Sequence, residues 1–327
     1  MKAWLPILAD ELRRGRAATL VHVVELDGSG PREVGAQMLV MENGILGTIG
    51  GGELEHRAIE AAHESLEAGR PALLRWPLGP ALGQCCGGSV TLLLEPFAPA
   101  DRAWVEKLVS PAAGPLPVMR RVTIDARGVL ARDVVGRAEG DADFVVLGEA
   151  GTTGFIERVN RPKPELWLFG AGHVGCAVAA ALAPLGFAVT WIDGRAGFLP
   201  QEASEGVRTM ELAMPELAVE EAAPGAWFLV MTHSHPLDEL VCAAVLRRAD
   251  FAYLGLIGSK TKRALFRKRL AAEGFSAKAL DRLICPIGLA SIGSKEPAAI
   301  AASVAADLLI RRERARIGSL RAEHHER

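Results

Sequence analysis

Neither sign of charge dominates this chain: 37 Lys and Arg against 39 Asp and Glu leave a net charge of −2 over 327 residues. That excludes a protein that holds nucleic acid or an anionic membrane through a global field, and a strongly charged partner would need a local patch. No apolar run reaches the roughly 18 residues that a membrane-spanning helix requires. The opening Met-Lys-Ala-Trp-Leu-Pro-Ile-Leu-Ala-Asp-Glu breaks its apolar stretch at Pro6 and turns acidic at Asp10, which does not read as a signal peptide. Five cysteines in a chain of this length give no disulfide framework. Cys176, Cys242 and Cys285 lie among apolar residues, as buried thiols do. Cys85 and Cys86 stand apart, next to glycines. The expectation is a cytoplasmic protein with neither nucleic acid nor membrane among its partners.

What the chain has is glycine in patterned loops. Residues 165–175 read Glu-Leu-Trp-Leu-Phe-Gly-Ala-Gly-His-Val-Gly, a buried strand running into G-x-G-x-x-G at Gly170, Gly172 and Gly175. In that fingerprint the first glycine makes a tight turn, the second admits a pyrophosphate and the third lets helix pack on strand. An Ala-rich helix over 176–185 and a strand over 187–192 ending in Asp193 complete the unit. An acid about 20 residues past the glycines is where a carboxylate bonds a ribose hydroxyl. A structural turn with no nucleotide is the plainer reading of the same loop, and His173 within it either crowds a pyrophosphate or caps the helix. Strand and helix patterns continue at 226–231, 237–249 and 251–257, and the arginine-rich tail after Arg311 is expected to fray or to be solvated.

This fingerprint sits mid-chain, and the length exceeds the roughly 100–200 residues of one domain. Arg161-Pro162-Lys163-Pro164 is the clearest linker, so the expected domains are 1–160 and 161–327. The fold class is α/β: a C-terminal Rossmann-like, doubly wound parallel sheet with an N-terminal α/β or α+β domain. In the first half, helical spacing over 4–14 precedes strand patterns at 18–26 and 37–41, with a hairpin signal at Asn43-Gly44. Gly47-Thr48-Ile49-Gly50-Gly51-Gly52 then opens an amphipathic helix over 53–67. Strands at 71–76 and 90–95 flank Gly83-Gln84-Cys85-Cys86-Gly87-Gly88. A short helix at 101–108 and strands at 118–124 and 144–147 follow.

Several constellations could carry chemistry. Ile-Gly-Ser-Lys occurs at 257–260 and again at 292–295, each ahead of a helix. A glycine turn, a capping serine and a lysine at a helix N-terminus suit a phosphate, and helix capping alone also explains them. His233, His235 and Asp238 form an H-x-H-x-x-D run after a strand end, where ligands of open α/β sheets sit. A polar loop lining a nucleotide crevice accounts for it as well as a metal does, since no second set of ligands accompanies it. His56, Glu60 and His63 share one helix face, which solvent exposure explains. Glycines around Cys85 and Cys86 allow backbone N–H groups to point one way, which favours thiolate and hence a soft metal or sulfur chemistry. A tight turn of small residues is the alternative.

Taken together, Ser29-Gly30-Pro31-Arg32-Glu33-Val34-Gly35-Ala36, Gly47 to Glu55, Cys85-Cys86-Gly87-Gly88, Gly170 to Gly175 and Leu256-Ile257-Gly258-Ser259-Lys260 resemble the XdhC/CoxI family of xanthine dehydrogenase accessory proteins. The resemblance runs in order from the first helix to about Leu309. It implies a molybdenum-cofactor chaperone, not itself an enzyme and with no catalytic residue. Such a protein receives and shields the cofactor, supports its sulfuration by a cysteine desulfurase and inserts it into apo xanthine dehydrogenase. The implied partners are the molybdenum subunit of xanthine dehydrogenase, the desulfurase and a molybdenum cofactor biosynthesis protein, with a homodimer left open. Cys86 occupies the position of the family's cysteine and is the candidate neighbour of molybdenum, with Cys85 an addition. Ser259, Lys260 and Lys262 are candidates for the cofactor's phosphate, and Arg32 for phosphate or pterin. Gly50, Gly51 and Gly52 ahead of Glu53 offer close approach to a ring or phosphate.

Two other classes compete. An NAD(P)-dependent oxidoreductase would use Gly170, Gly172, Gly175 and Asp193, with His233 or His235 moving a proton. A metal-dependent hydrolase would use His233, His235 and Asp238. Neither gives the N-terminal glycine loops or the cysteine pair a task, which places the chaperone reading first.

Overall fold

The computed structural model describes residues 4–79, 87–109, 118–137, 144–149, 152–159 and 163–323, with the backbone alone described at 136, 137, 149 and 316–323. The chain divides into two compact units, Met1–Pro162 with Ser319–Arg327 and Lys163–Gly318.

The N-terminal unit runs α1 (Trp4–Arg13), β1 (Ala18–Asp27), β2 (Gln37–Met41), β3 (Gly44–Gly47), α2 (Gly52–Ala68), β4 (Ala72–Pro77), β5 (Ser89–Phe97), α3 (Arg102–Val109), β6 (Val118–Asp125), β7 (Leu130–Arg137), β8 (Phe144–Glu149) and β9 (Thr152–Val159). Two sheets result, in the orders β3-β2-β1-β5-β4 and β7-β6-β9-β8, and every pairing in both is antiparallel. Of the two expected forms for this half, this is α+β. Residues 18–24 of β1 are all buried, because both faces of the strand are covered. Val21 and Val23 join Met38, Leu92 and Leu94 under Leu54, Ala58 and Ala62 of α2. Leu20 points with Leu39 toward Leu5, Leu8 and Leu12 of α1 and Val105 and Leu108 of α3. This two-residue alternation is the strand period. Strands β7 and β9, which the sequence reading did not delimit, complete the second sheet.

The C-terminal unit runs β10 (Glu165–Phe169), α4 (His173–Leu182), β11 (Ala188–Asp193), β12 (Val207–Glu211), β13 (Trp227–Val230), α5 (His235–Arg248), β14 (Tyr253–Leu256), α6 (Lys260–Ala272), α7 (Ala277–Asp281), β15 (Leu283–Ile284) and α8 (Pro297–Glu323). The sheet order is β12-β11-β10-β13-β14-β15, all parallel. Renumbered within the unit this is 3-2-1-4-5-6, the dinucleotide-fold order, in which the chain switches direction across the sheet between β10 and β13. Phe169, Ile192, Phe228 and Val230 face α5 and α6 on one side. Leu166, Leu168, Trp191 and Leu229 face α4 and α8 on the other. No helix forms between β11 and β12.

Two expectations need correction. The tail does not fray at Arg311: α8 continues to Glu323, Arg311 is held by Asp307 one turn back at 2.9 Å and Arg312 by the Leu185 carbonyl at 2.7 Å, while Arg314 is exposed to solvent. Cys242 and Cys285 are buried, but Cys176 is exposed, because α4 buries Gly175, Val178, Ala179 and Leu182 and Cys176 falls outside that stripe. Among the described residues, no helix is long and apolar enough to cross a membrane.

Candidate functional site

In the N-terminal unit three glycine-rich loops far apart in sequence converge. A Cβ added at Gly28, after β1, would lie 3.3 Å from the Cα of Gly88, and one added at Gly50, where φ is +129°, would lie 2.5 Å from the Pro31 Cβ. The β1–β2 connection thus packs against both the turn before α2 and the segment entering β5. Arg32 ties two of the loops, its Nη1 donating to the Thr48 carbonyl at 3.3 Å while its Nη2 donates to Glu33 at 3.0 Å. The turn before α2 folds around Glu55, whose Oε2 accepts from Thr48 Oγ1 at 2.5 Å, Ile49 N at 3.0 Å and Gly51 N at 3.2 Å. Glu53 instead pairs with Arg57 at the exposed surface, 2.9 Å apart. Glu55, in the first turn of α2, is then a bracing residue that the sequence reading did not single out. The N-cap, Gly51, has no side chain to cap with, and an acid in the first helical turn reaching back to free N–H groups takes that place, which suits the positive end of the helix dipole. Among the described residues, chain neighbours aside, no atom lies within 4 Å of where a Cβ would stand at Gly51, Gly52 or Gly87, so these positions present bare backbone. Cys85 and Cys86 lie outside the described residues, as the two residues before Gly87.

Between the two sheets of this unit lies a second feature that the sequence reading did not find, a buried ionic network. Arg120 donates to both oxygens of Glu95 at 2.9 Å and also to Glu157. Gln37 donates to Glu157 as well. Arg132 donates to Glu95 at 2.6 Å and to Asp101 at 3.1 Å. His22 Nε2 lies 3.2 Å from Glu95, so a proton on that nitrogen serves the carboxylate. His22, Glu95 and Arg120 are 0 % exposed. Burial alone would push the Glu95 carboxyl up, but Arg120, His22 and Arg132 hold it well below the usual carboxylate range. These bonded pairs lie 25 to 120 residues apart in sequence, which is why no local pattern announces them.

In the C-terminal unit Gly170 stands at the switch point with φ +116°, and a Cβ there would run into the Met231 carbonyl of the neighbouring strand end. A Cβ at Gly175 would run into the Gly170 carbonyl, so helix and strand meet as closely as the fingerprint demands. Gly172 caps α4 without any side-chain hydrogen bond, and Gly172 and His173 are exposed. Gly170, Asp193, Gly194, Thr232, His233 and Leu237 are among the residues around a shallow crevice at the strand ends, about 170 Å³ of empty space with open solvent included. Asp193 is 3 % exposed, bonded by the Ala171 N–H at 2.6 Å and by the Arg195 guanidinium at 2.8 and 2.9 Å. Burial raises its pKa, and Arg195 and the loop N–H groups outweigh that to leave it lowered.

The loop carrying His233 is braced from below. Asp238, fully buried, accepts from Thr232 N at 2.9 Å and Thr232 Oγ1 at 2.7 Å, and its other oxygen takes Lys262 Nζ at 2.6 Å. Lys262 also donates to the Ile257 carbonyl at 2.9 Å. Its ammonium is therefore engaged within the unit. Ser259 caps α6 by accepting from Lys262 N at 3.2 Å, and Lys260 is exposed at the first helical position. His233 and His235 are exposed, and His235 stands edge-on to Phe266. Among the described residues no group of three or more His, Cys, Asp and Glu could hold a metal ion. Burial pushes the Cys242 and Cys285 thiols up, so neither is a ready thiolate.

Residues 11–77 match the family model described as "XdhC and CoxI family", and residues 166–308 match the "XdhC Rossmann domain". The chain is 26% identical over 301 residues to the uncharacterized protein YqeB of Escherichia coli, covering 89% of this chain but 42% of that protein, so it spans about two fifths of that relative's length. It is 26% identical to a probable xanthine dehydrogenase subunit of Bacillus subtilis, covering 91% of this chain and 94% of that one. It is 25% identical to the molybdenum cofactor insertion chaperone PaoD of Escherichia coli, covering 87% of this chain and 80% of that one. A crystal structure described as a xanthine dehydrogenase from Bacillus halodurans superposes with a TM-score of 0.76 at 20% identity, over 95% of this chain and 96% of that one. That likeness shows a shared fold.

Proposed function

Carrying both domains in order, the chain belongs to the XdhC and CoxI family, and from that premise we propose that it binds the molybdenum cofactor as cargo and inserts it into an apo enzyme of the xanthine dehydrogenase type. The observation that carries this reading is the convergence of the glycine loops around Gly28, Gly50 and Gly88, next in sequence to Cys85 and Cys86. A chaperone has to approach a flat, phosphate-bearing ligand closely and let it go again. Side-chain-free backbone at Gly51, Gly52 and Gly87, with Arg32 beside it, suits that task. Similarity to PaoD over most of the chain supports the same reading. In its finer form the proposal includes support of sulfuration by a cysteine desulfurase, Cys86 as the neighbour of molybdenum, the molybdenum subunit of the dehydrogenase as recipient, and a cytoplasmic setting in purine catabolism.

The test is molybdenum and pterin content per chain after anaerobic incubation with free cofactor and gel filtration. Near-stoichiometric retention by the native chain, lost in a folded Cys86→Ala variant, is the expected result. Equal retention by the variant sinks the cysteine assignment, and no retention by the folded native chain sinks the chaperone reading.

A second reading concerns the C-terminal unit alone. Its 3-2-1-4-5-6 strand order and uncapped α4 favour a nucleotide across the switch point. The crevice is a shallow groove that encloses no volume of its own, unlike an enclosing pocket of roughly 300–1,000 Å³, so the nucleotide would lie along its mouth.

A further inference from the structure

Resting on that second reading, we propose that the β11 edge of the switch point recognises a nucleotide whose ribose carries a phosphate ester, with Arg195 as the phosphate ligand, and discriminates against a free ribose diol. The argument starts from the carboxylate that would normally take the diol. An ionised carboxylate offers about four lone-pair sites. Asp193 Oδ1 accepts from Arg195 N and Arg195 Nε, both at 2.9 Å. Oδ2 accepts from Arg195 Nη2 at 2.8 Å and from Ala171 N at 2.6 Å. All the sites are filled from within the chain. A diol could bind Asp193 only by displacing Arg195 or the glycine loop, and the second would undo the turn that admits a pyrophosphate.

Arg195 is placed to take over the recognition. Its Nε and one Nη2 hydrogen hold Asp193, which leaves three of its five N–H donors without a hydrogen-bond partner among the described residues. Its side chain is 27% exposed, and its guanidinium lies 3.6 Å from the centroid of the Phe198 ring, itself 49% exposed. Carboxylate and ring fix the plane of the fork. A guanidinium fixed in this way with donors to spare is suited to bidentate binding of a phosphate. Gly194, with no side chain, follows Asp193 directly at the lip of the crevice. The uncapped N-terminus of α4 supplies the second positive pole, for a diphosphate. Arginine beside the β11 end in place of an available acid is the arrangement that accommodates a ribose 2′-phosphate.

The full chain is titrated with NADPH and NADH, following nicotinamide fluorescence, and with adenosine 2′,5′-bisphosphate and adenosine 5′-monophosphate by calorimetry. In each pair the ligand with the extra phosphate should bind at least tenfold more tightly, with an advantage that shrinks as salt rises. In Arg195→Ala the preference should vanish or invert, because Asp193 is then released to accept a diol. Arg195→Lys should keep part of the preference, and Phe198→Ala, which leaves the ion pair in place, should weaken it several-fold. Equal binding of both members by the native chain overturns the inference while leaving nucleotide binding intact. An unchanged ratio in folded Arg195→Ala overturns the assignment to Arg195. No binding of any of the four overturns the inference together with the reading it rests on.

Discussion

In the N-terminal unit the glycine turn before α2 closes on Glu55, a carboxylate with no cation in ion-pair contact among the described residues and three loop donors around one oxygen. In the C-terminal unit the glycine turn before α4 closes on Asp193, whose charge Arg195 matches from the same strand end. The two turns are alike in sequence and in having a helix behind them. They differ in what balances the bracing charge: backbone and hydroxyl dipoles at a helix N-terminus for Glu55, a guanidinium for Asp193. The cores invert the contrast. Arg120, Glu95 and His22 are sealed between the sheets of the N-terminal unit, whereas the C-terminal sheet is packed on both faces by apolar side chains, with Asp238 and Lys262 as a buried pair at its strand ends. Glycine in a loop therefore indicates where the backbone must come close, and the charge inventory around it decides what the loop can still bind.

The largest effect expected from breaking this contrast is in the buried network. Arg120→Met leaves Glu95 and Glu157 without their principal cation, and a stability loss of about 3–5 kcal/mol follows, read as a drop in the urea midpoint by tryptophan fluorescence. The pH dependence has a definite sign. The Glu95 pKa is depressed on folding, so its contribution is full above the unfolded value of about 4.3 and is lost as pH falls through the lower folded value. The gap between native protein and Arg120→Met should accordingly narrow below about pH 4. A gap that stays constant down to about pH 2 would show that Glu95 is not the residue left uncompensated.

Lys262→Met is the matching lesion in the C-terminal unit. Asp238 keeps Thr232 but loses its cation, and a loss of about 2–3 kcal/mol is expected, at the lower end because the Lys262 side chain is 11% exposed. A change below about 0.5 kcal/mol in the same urea assay would mean that solvent replaces the ammonium, and that Lys262 is free for a ligand after all.

The contrast also accounts for how much could be read in advance. The strand–glycine loop–helix–strand run of 165–193 is local, and its fingerprint, its acid and the following elements were legible because each is set by its neighbours in sequence. The converging loops were legible as motifs. Their meeting point was not, since Gly28 meets Gly88 and Pro31 meets Gly50 only through strand pairing. The network of residues 22, 95, 120 and 157 is wholly non-local, and Arg120 in an alternating strand reads as a solvent-facing residue until Glu95 and Glu157 are placed beside it. Lys262 is a phosphate candidate on the family resemblance, and only the position of Asp238, 24 residues earlier, shows where its charge goes in the folded chain.

The smallest expected effects test the two loops directly. Asp193→Asn keeps the shape but removes the charge that Arg195 balances, and the amide's NH2 cannot accept, so two of the four bonds lose their acceptor. With Arg195 partly exposed, about 1–2 kcal/mol is expected, fading as pH falls below about 4 because Asp193 in the unfolded chain then takes up a proton while the folded one, with its lowered pKa, still resists it. Glu55→Gln removes a charge that has no cation in direct ion-pair contact among the described residues, Arg32 acting on it only from farther off, and its amide oxygen can stand where Oε2 accepts from Thr48, Ile49 and Gly51, so about 0.5–1 kcal/mol is expected. The order of the two, measured by thermal and urea unfolding of the full chain, is the discriminating quantity. If Glu55→Gln costs more than Asp193→Asn, the net charge at the α2 terminus matters more than the acceptor atom, and the N-terminal loop is then better described as an anion site that the chain fills with its own carboxylate.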